Sequence, residues 1–502
     1  MGILLGAVRV IENHIKIIGT VNNPGKDFSV KLNGKNLKIN LKDSGLENGS
    51  YIFGIYEKAE EKNEIIFPEI FGFKKWSTIN TDRKEVLSNG YKLSYDTNKL
   101  KINKANTFEK IRVKIYLNLH YLLTHQKVFL NRLKSKKTSE KIWLYCDREN
   151  LFDNAYYQFK HDIKINDGIK KYYITDSIEN AKKYFTDDEL KSIILFRSEE
   201  HIRLFFQCSK IITSFSSISI FSPFGSDPTV WYYDLLDFEI VYLQHGVLHA
   251  HLPDMYSKEL SLLDKVVVST EFECKNFVNN YGYNDEDLIK SGMPRYDYTK
   301  NEAPERKILF APTWRKNLIG SYKNNTRELL PDIFKNSDFY KEIQGFLNSE
   351  KLKDLLEKNN LILDFKNHPI FAEYNNLFEV KSDRITVSSA NTKIDDYLLM
   401  ITDYSSMVFD FVYLKRPIVY FVPDYDDFKN GVSHGYCKLD LPLEEGFGEM
   451  TFDCDQLIEV LKSYIENNFQ PDKKYYDKMF NFFLYEDRSQ CERIYKNLQK
   501  NP

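Results

Sequence analysis

Ile401-Thr402-Asp403-Tyr404-Ser405-Ser406-Met407-Val408-Phe409-Asp410-Phe411 is the stretch from which the fold of this chain is read. Leu398-Leu399-Met400 lead into it, and Pro417-Ile418-Val419-Tyr420-Phe421-Val422 follow. The order is a buried strand, a polar turn, a short helix and a second buried strand. The apolar runs are too short for core helices and sit at the spacing of a βαβ unit. Ser405 or Ser406 is a natural N-cap, with Asp403 just before it. Such a turn points backbone N–H groups and the positive end of a helix dipole at one spot, which suits a phosphate. Taken alone, the stretch also reads as an ordinary capped helix of an α/β protein.

Outward from it, the alternation of short apolar runs with helical stretches extends back to residue 141. Runs at 142–145, 171–174, 192–196, 210–214, 239–243 and 265–269 predict one doubly wound unit. Runs at 307–311, 361–365 and 384–387 join the two already quoted in a second. Residues 292–306 carry Pro294, Pro304 and many charges, and read as a linker. The expected units are 141–303 and 304–502. Two Rossmann-like lobes with a cleft between them match the glycosyltransferase-B plan, in which a final helix, here 475–499, commonly crosses back to the first lobe.

Residues 1–103 read as an all-β, sandwich-like accessory domain. Apolar and polar side chains alternate in its runs, and Asn33-Gly34, Asn48-Gly49 and Asn89-Gly90 are tight-turn dipeptides. Residues 104–140 read as a basic amphipathic helical linker. Phe108, Ile111, Ile115, Leu119, Leu122 and Leu123 fall at helical spacing. Lys110, Arg112, Lys114, Lys127, Arg132, Lys134, Lys136 and Lys137 add positive charge, with Glu109 the main nearby acid. The helix either lies on an anionic membrane surface or packs on the body by its Leu/Ile face.

The whole chain of 502 residues has a net charge of -2, which gives no global pull toward nucleic acid. None of its six cysteines forms a CxxC pair, so neither a zinc knuckle nor a disulfide framework is expected. The start lacks a basic n-region and a full h-region, Gly2 has no myristoylation context, and no apolar run approaches the ~20 residues of a membrane span.

Ligands of open α/β sheets bind at the carboxyl ends of strands. Those ends carry Gln244-His245-Gly246, Ala311-Pro312-Thr313-Trp314-Arg315, Lys366-Asn367-His368-Pro369 and Asp403-Tyr404-Ser405-Ser406. Four strand ends finished by imidazole, guanidinium, ammonium or hydroxyl point to a functional site rather than to core packing.

This set, with Gly292-Met293-Pro294-Arg295-Tyr296-Asp297 and Phe409-Asp410-Phe411, resembles the CDP-glycerol glycerophosphotransferase family of teichoic acid and capsule polymer enzymes. The motifs run over about 230–420. The resemblance implies a metal-independent enzyme without cofactor, bacterial and cytoplasmic, peripheral on the inner face of the membrane. It implies transfer of an alditol phosphate from CDP-glycerol or CDP-ribitol to a hydroxyl of a polyol-phosphate or glycan acceptor, lipid-linked, with release of CMP. His245 is then the base. His368 and Pro369, with the turn Asp403, Ser405 and Ser406, hold the donor pyrophosphate. Family members often read His-Gly-Thr-Pro where this chain has His245-Gly246-Val247-Leu248, which bears on the acceptor more than on the reaction.

The residue chemistry gives the same roles. An alcohol attacking a diphosphate needs a base near neutrality, and histidine supplies one. Without a metal, charge on the leaving group is met by cations, hydroxyls and a helix N-terminus, here Arg315, His368, Ser405 and Ser406. Asp410 could accept from ribose hydroxyls or be a helix-surface carboxylate. Asp424, Asp426 and Asp427 could ligate a metal but read better as a solvated loop. His249 and His251 lack the further ligands of a zinc site. Asp147, Arg148, Asp153 and Asn154 follow the first strand of the first lobe and are acceptor-side candidates. Other readings are a sugar-nucleotide transferase of the same plan and an inactive binding or scaffold protein.

Overall fold

The computed structural model describes residues 2–11, 14–24, 28–37, 39, 41–43, 50–73, 79, 84–124, 126–135, 140–147, 152–225, 238–258, 261, 263–299, 303–323, 326–389 and 393–500. Arg148, Lys136, Lys137 and the Asn48-Gly49 turn lie outside these residues, as do the side chains of Lys127 and Lys134.

The first hundred residues form two β-sheets around one core. One sheet orders Leu41–Asp43, Ser50–Lys58, His14–Asn22, Gly2–Ile11 and Phe71–Phe73. The other orders Lys35–Leu37, Val30–Leu32, Lys62–Ile66, Lys99–Lys104, Tyr91–Asp96 and Glu85–Ser88. Val8, Ile17 and Phe53 of the first meet Ile65, Leu93 and Ile102 of the second. Asn33-Gly34 and Asn89-Gly90 each close a two-residue hairpin with positive φ at both positions, the geometry that selects this dipeptide.

The helix Thr107–Thr124 packs on this core through Val113 and Leu117. That corrects the expected contact. Phe108, Ile111, Ile115, Leu119 and Leu123 lie on the opposite side of the helix and are exposed. Two ion pairs fix the orientation: Lys92 to Glu109 at 2.8 Å and Arg112 to Glu85 at 2.5 Å. A second helix, Gln126–Lys134, follows.

Two all-parallel sheets dominate the rest, beside a small antiparallel pair of Ile319–Lys323 and Thr326–Leu329. The first orders Ile193–Leu195, Lys170–Thr175, Ile142–Cys146, Lys210–Thr213, Glu239–Tyr242, Lys265–Val268 and Leu288–Lys290. The second orders Ile385–Ser388, Ile362–Lys366, Lys307–Phe310, Leu399–Thr402, Ile418–Phe421 and Gly448–Thr451. In each sheet the chain leaves its first strand to one side and then returns to the other, so a switch point falls beside Ile142–Cys146 and beside Lys307–Phe310. The edge strands Leu288–Lys290 and Gly448–Thr451 escape the apolar-run criterion because they are only three and four residues long.

The chain also ties the two parts together. Residues read as a linker contain the buried Pro294 and Tyr296, whose ring stacks on Tyr413 at 4.1 Å. Ala250 bridges Leu439, with hydrogen bonds from His251 N to Lys438 O (3.0 Å) and from Asp440 N to His249 O (2.6 Å). The last helix, Gln490–Lys500, sets Ile494, Tyr495 and Leu498 against Trp143, Tyr145 and Phe159 of the first sheet unit. Asp297 accepts from the backbone N–H groups of Gln490 (2.9 Å) and Cys491 (2.8 Å), which start that helix.

Candidate active site

His245 lies just past the strand Glu239–Tyr242, and its ring is open, with 57% of the side chain exposed. One face stacks on Phe215 at 4.8 Å. Its Nδ1 is hydrogen bonded to Asp153 Oδ2, so Nε2 is the nitrogen left to act on a ligand. Gln244 takes a φ of +65°, which turns the chain sharply at the strand end. Gly246 follows because space demands it. A Cβ there would sit 2.6 Å from Ser406 Oγ. The histidine segment and the serine turn, distant in sequence, are thus in contact.

Asp153 is buried, and it is the partner that orients His245 rather than an acceptor contact. Burial opposes its ionisation, but His245 and Arg295 outweigh that and hold its carboxyl below the ordinary range. Asn154 is fully buried, donating to Gln244 O at 2.8 Å and accepting from Arg295 N at 3.1 Å. Asp147 is also buried. It accepts from the backbone of Asp153, Ala155 and Tyr156, from Ser214 Oγ and from Tyr173 OH. Burial, then the neighbouring Asp153, raises its carboxyl to about 6. These three side chains frame the helix Asn154–Asp162 and the His245 turn, a correction to their placing as acceptor contacts.

On the second sheet the corrections are sharper. Arg315 is 1% exposed. Its Nε and Nη2 bind Asp424 at 2.6 and 2.9 Å, and its Nη1 binds Asp403 at 2.7 Å and Thr313 O at 2.8 Å. Phe339 covers the guanidinium face at 4.3 Å. No side of it is open to a pyrophosphate. Asp403 accepts from Arg315, from the backbone and hydroxyl of Thr313 and from Tyr404 N, so it braces the turn and does not face a ligand. Asp424 belongs to this buried ion pair and not to a solvated loop.

Ser405 and Ser406 are partly exposed at the turn itself. The helix assigned after them is Val408–Tyr413. Ser405 Oγ accepts from Met407 N at 3.2 Å, and the N–H groups of Val408, Phe409 and Asp410 bond to Ser405, Ser406 and Met407 carbonyls. The turn therefore consumes the N–H groups of residues 407–410, and what it can offer a ligand is its hydroxyls and the outer backbone. Asp410 is neither a ribose acceptor nor a surface carboxylate. It is buried, and both oxygens are taken by Arg295. Burial raises its carboxyl, and Arg295 limits the rise.

His368 is partly exposed after the strand Ile362–Lys366. Its Nδ1 accepts from Ile370 N at 3.2 Å, with Pro369 opening the following turn. Trp314 approaches it at 6.5 Å between ring centroids. His249 and His251 do not converge on a common point. Burial lowers the His249 imidazole to about 4, and its ring packs on Phe409, while His251 Nδ1 bonds Asp440 at 2.6 Å.

Arg295 is the site residue that sequence reasoning passed over. Its segment reads as a linker because of its prolines and charges. The signal was there, since Arg295 stands within the Gly292-to-Asp297 motif. The arrangement as a whole is a histidine oriented by a carboxylate, open on its far nitrogen, beside two serine hydroxyls and within a framework of buried ion pairs. It can take a proton from a hydroxyl nucleophile and hold an anionic group nearby.

Residues 126–500 match the family described as CDP-Glycerol:Poly(glycerophosphate) glycerophosphotransferase. Over 373 residues the chain is 32% identical to the minor teichoic acid biosynthesis protein GgaB of Bacillus subtilis (strain 168), across 70% of this chain and 39% of GgaB. Over 203 residues it is 30% identical to a teichoic acid poly(glycerol phosphate) polymerase of Bacillus spizizenii, across 36% of this chain and 46% of that protein. The chain thus spans less than half the length of either relative. A structure of the wall teichoic acid polymerase TagF is alike in fold, with a TM-score of 0.56 at 15% identity, over 79% of this chain and 98% of that one.

The buried ion pairs make a direct prediction. Arg315→Met strands Asp403 and Asp424 without a counter-charge and lowers unfolding stability by about 3–5 kcal/mol. His245→Ala, at an exposed ring, changes it by less than about 1 kcal/mol. Urea unfolding of both variants checks this; equal midpoints would return Arg315 to a ligand role.

Proposed function

Because the chain belongs to the CDP-glycerol:poly(glycerophosphate) glycerophosphotransferase family, we propose that it transfers glycerol phosphate or ribitol phosphate from a CDP-alditol to a hydroxyl of a growing teichoic acid or capsule polymer. The acceptor oxygen bonds to the phosphorus that carries the alditol. The bond from that phosphorus to the bridging oxygen breaks, CMP leaves with it, and the acceptor proton passes to His245 Nε2. The observation that carries the reading is His245, tied to Asp153 through Nδ1, open at the other nitrogen and in contact with the Ser405–Ser406 turn through Gly246. The two parallel sheets act as the lobes of a glycosyltransferase-B-type arrangement, with the donor at their carboxyl edges. His368, Ser405 and Ser406 meet the pyrophosphate, Pro369 shapes the turn, and Arg315 and Asp403 hold the framework beneath. The transfer is metal-independent, a reading supported by Asp424, the buried carboxylate of its cluster, whose two oxygens are both engaged by Arg315.

The acceptor is lipid-linked and the enzyme works on the inner face of the bacterial membrane, held peripherally. One feature supports this part. The apolar face of Thr107–Thr124 is exposed beside the exposed Lys110 and Lys114. Among the described residues, no helix is long and apolar enough to cross a membrane.

Release of CMP from CDP-glycerol and from CDP-ribitol, with acceptor present, tests the reaction. His245→Ala is expected to lower kcat by ~10²–10⁴-fold while donor binding persists. Turnover within about threefold of the parent would remove His245 from the base role. Activity is expected to survive EDTA, and loss restored by Mg²⁺ or Mn²⁺ would reject metal independence. Replacing Ile111, Ile115 and Leu119 together by Ser is expected to release the protein from anionic vesicles, since each buried aliphatic side chain contributes about 1.5–3 kcal/mol. Unchanged sedimentation with vesicles would assign that face to something other than a bilayer.

A further inference from the structure

Arg295 stands where three distant segments meet. Its Nη1 donates to Asp153 Oδ1 at 3.1 Å and to the backbone oxygen of His245 at 2.6 Å. Its Nε and Nη2 grip Asp410 at 2.9–3.0 Å. Asp153 follows the first strand of the first parallel sheet, while Asp410 lies on Val408–Tyr413, the helix that continues the serine turn of the second. A forked guanidinium can serve two carboxylates and a carbonyl at once, which an ammonium cannot do with the same geometry. The Arg295 side chain is 17% exposed and both carboxylates 9%, so solvent screens the cluster little.

Charge adds a second reason. The groups facing Arg295 are Asp153, Asp410, His245, Tyr157 and Tyr296, with Asp147 behind Asp153. Two carboxylates and one guanidinium leave one net negative charge while His245 is neutral. A proton arriving on His245 brings the cluster to zero.

We propose that Arg295 is a positioning residue that clamps Asp153 against His245 and makes the readiness of that base depend on the seating of the helix Val408–Tyr413, and hence of the serine turn. The inference deepens the reading of His245 as the base and rests on it. A displacement of that helix pulls the guanidinium from Asp153 or from the His245 carbonyl. One side chain thus reports the state of the second sheet unit to the base on the first.

The test reads the imidazole itself. The His245 Cε1–H resonance of histidine-labelled protein is followed against pH in the parent, Arg295→Met, Arg295→Lys and Asp410→Asn, with His245→Gln for assignment and thermal unfolding as the check on folding. Arg295→Met is expected to move the His245 titration to higher pH by about one pH unit, because a positive charge beside the ring is gone and Asp153 remains. Asp410→Asn, which does not touch His245, is expected to move it the other way. Arg295→Lys restores the charge but not the fork, so its titration returns toward the parent while kcat stays about tenfold down with KM little changed. If Arg295→Met does not fold, the other two variants decide. A His245 titration within about 0.2 pH unit of the parent in the folded Arg295→Met and Asp410→Asn proteins overturns the proposal. A parent that releases no CMP from either donor rejects the transferase reading instead, and leaves the titration result standing.

Discussion

A guanidinium withdrawn from water keeps its charge, so every one of its faces must be supplied with acceptors or aromatic cover. Arg315 and Arg295 impose this constraint at the carboxyl edges of the two sheets. Removing such an ion from water costs several kcal/mol even after relaxation. For Arg315 the compensation comes from Asp403 and Asp424, which follow different strands, together with the Thr313 carbonyl and the Phe339 ring. Three strand ends are therefore fixed relative to one another, and the serine turn is fixed with them through Asp403. Arg295 does the same between Asp153 and Asp410.

The site then divides into closed and open groups. Asp147, Asn154, Asp403, Arg315 and Asp410 have their hydrogen-bonding capacity spent on the protein itself. His245, Ser405 and Ser406 keep a free edge, and His368 is partly exposed in the second sheet unit. The division suits catalysis, in which few groups touch the reacting atoms and many hold those few to within fractions of an ångström. It also separates two meanings of a motif residue. Asp403 and Ser405 are two positions apart, yet one braces a turn and the other faces outward.

Much of this was legible in the chain. The Asn33-Gly34 and Asn89-Gly90 hairpins, the parallel strand runs and the clustering of polar groups at strand ends follow from local rules, because turn chemistry and apolar periodicity act over a few residues. Partnership was not legible. Whether Arg315 meets a phosphate or Asp424 depends on a separation of 109 residues, and the pair Arg295 and Asp410 on 115. Periodicity also found the helix Thr107–Thr124, but of the two readings of its Leu/Ile face, packing on the body is the one that fails. Six large apolar side chains outvote Val113 and Leu117 in any amphipathic count, whereas packing against the hairpin Glu85–Asp96 and its charges selects the smaller stripe.

The helix Gln490–Lys500 covers a face of the sheet that carries His245, against Trp143, Tyr145 and Ile212. The last strand of that sheet ends at Lys290, so 200 residues separate it from Gln490. A ribosome adding ~5–20 residues per second needs roughly 10–40 s to cross that interval. Through it the nascent sheet carries an uncovered aromatic face, a ready target for chaperones. A truncated product exposes the same face for good, and so advertises itself to proteolysis.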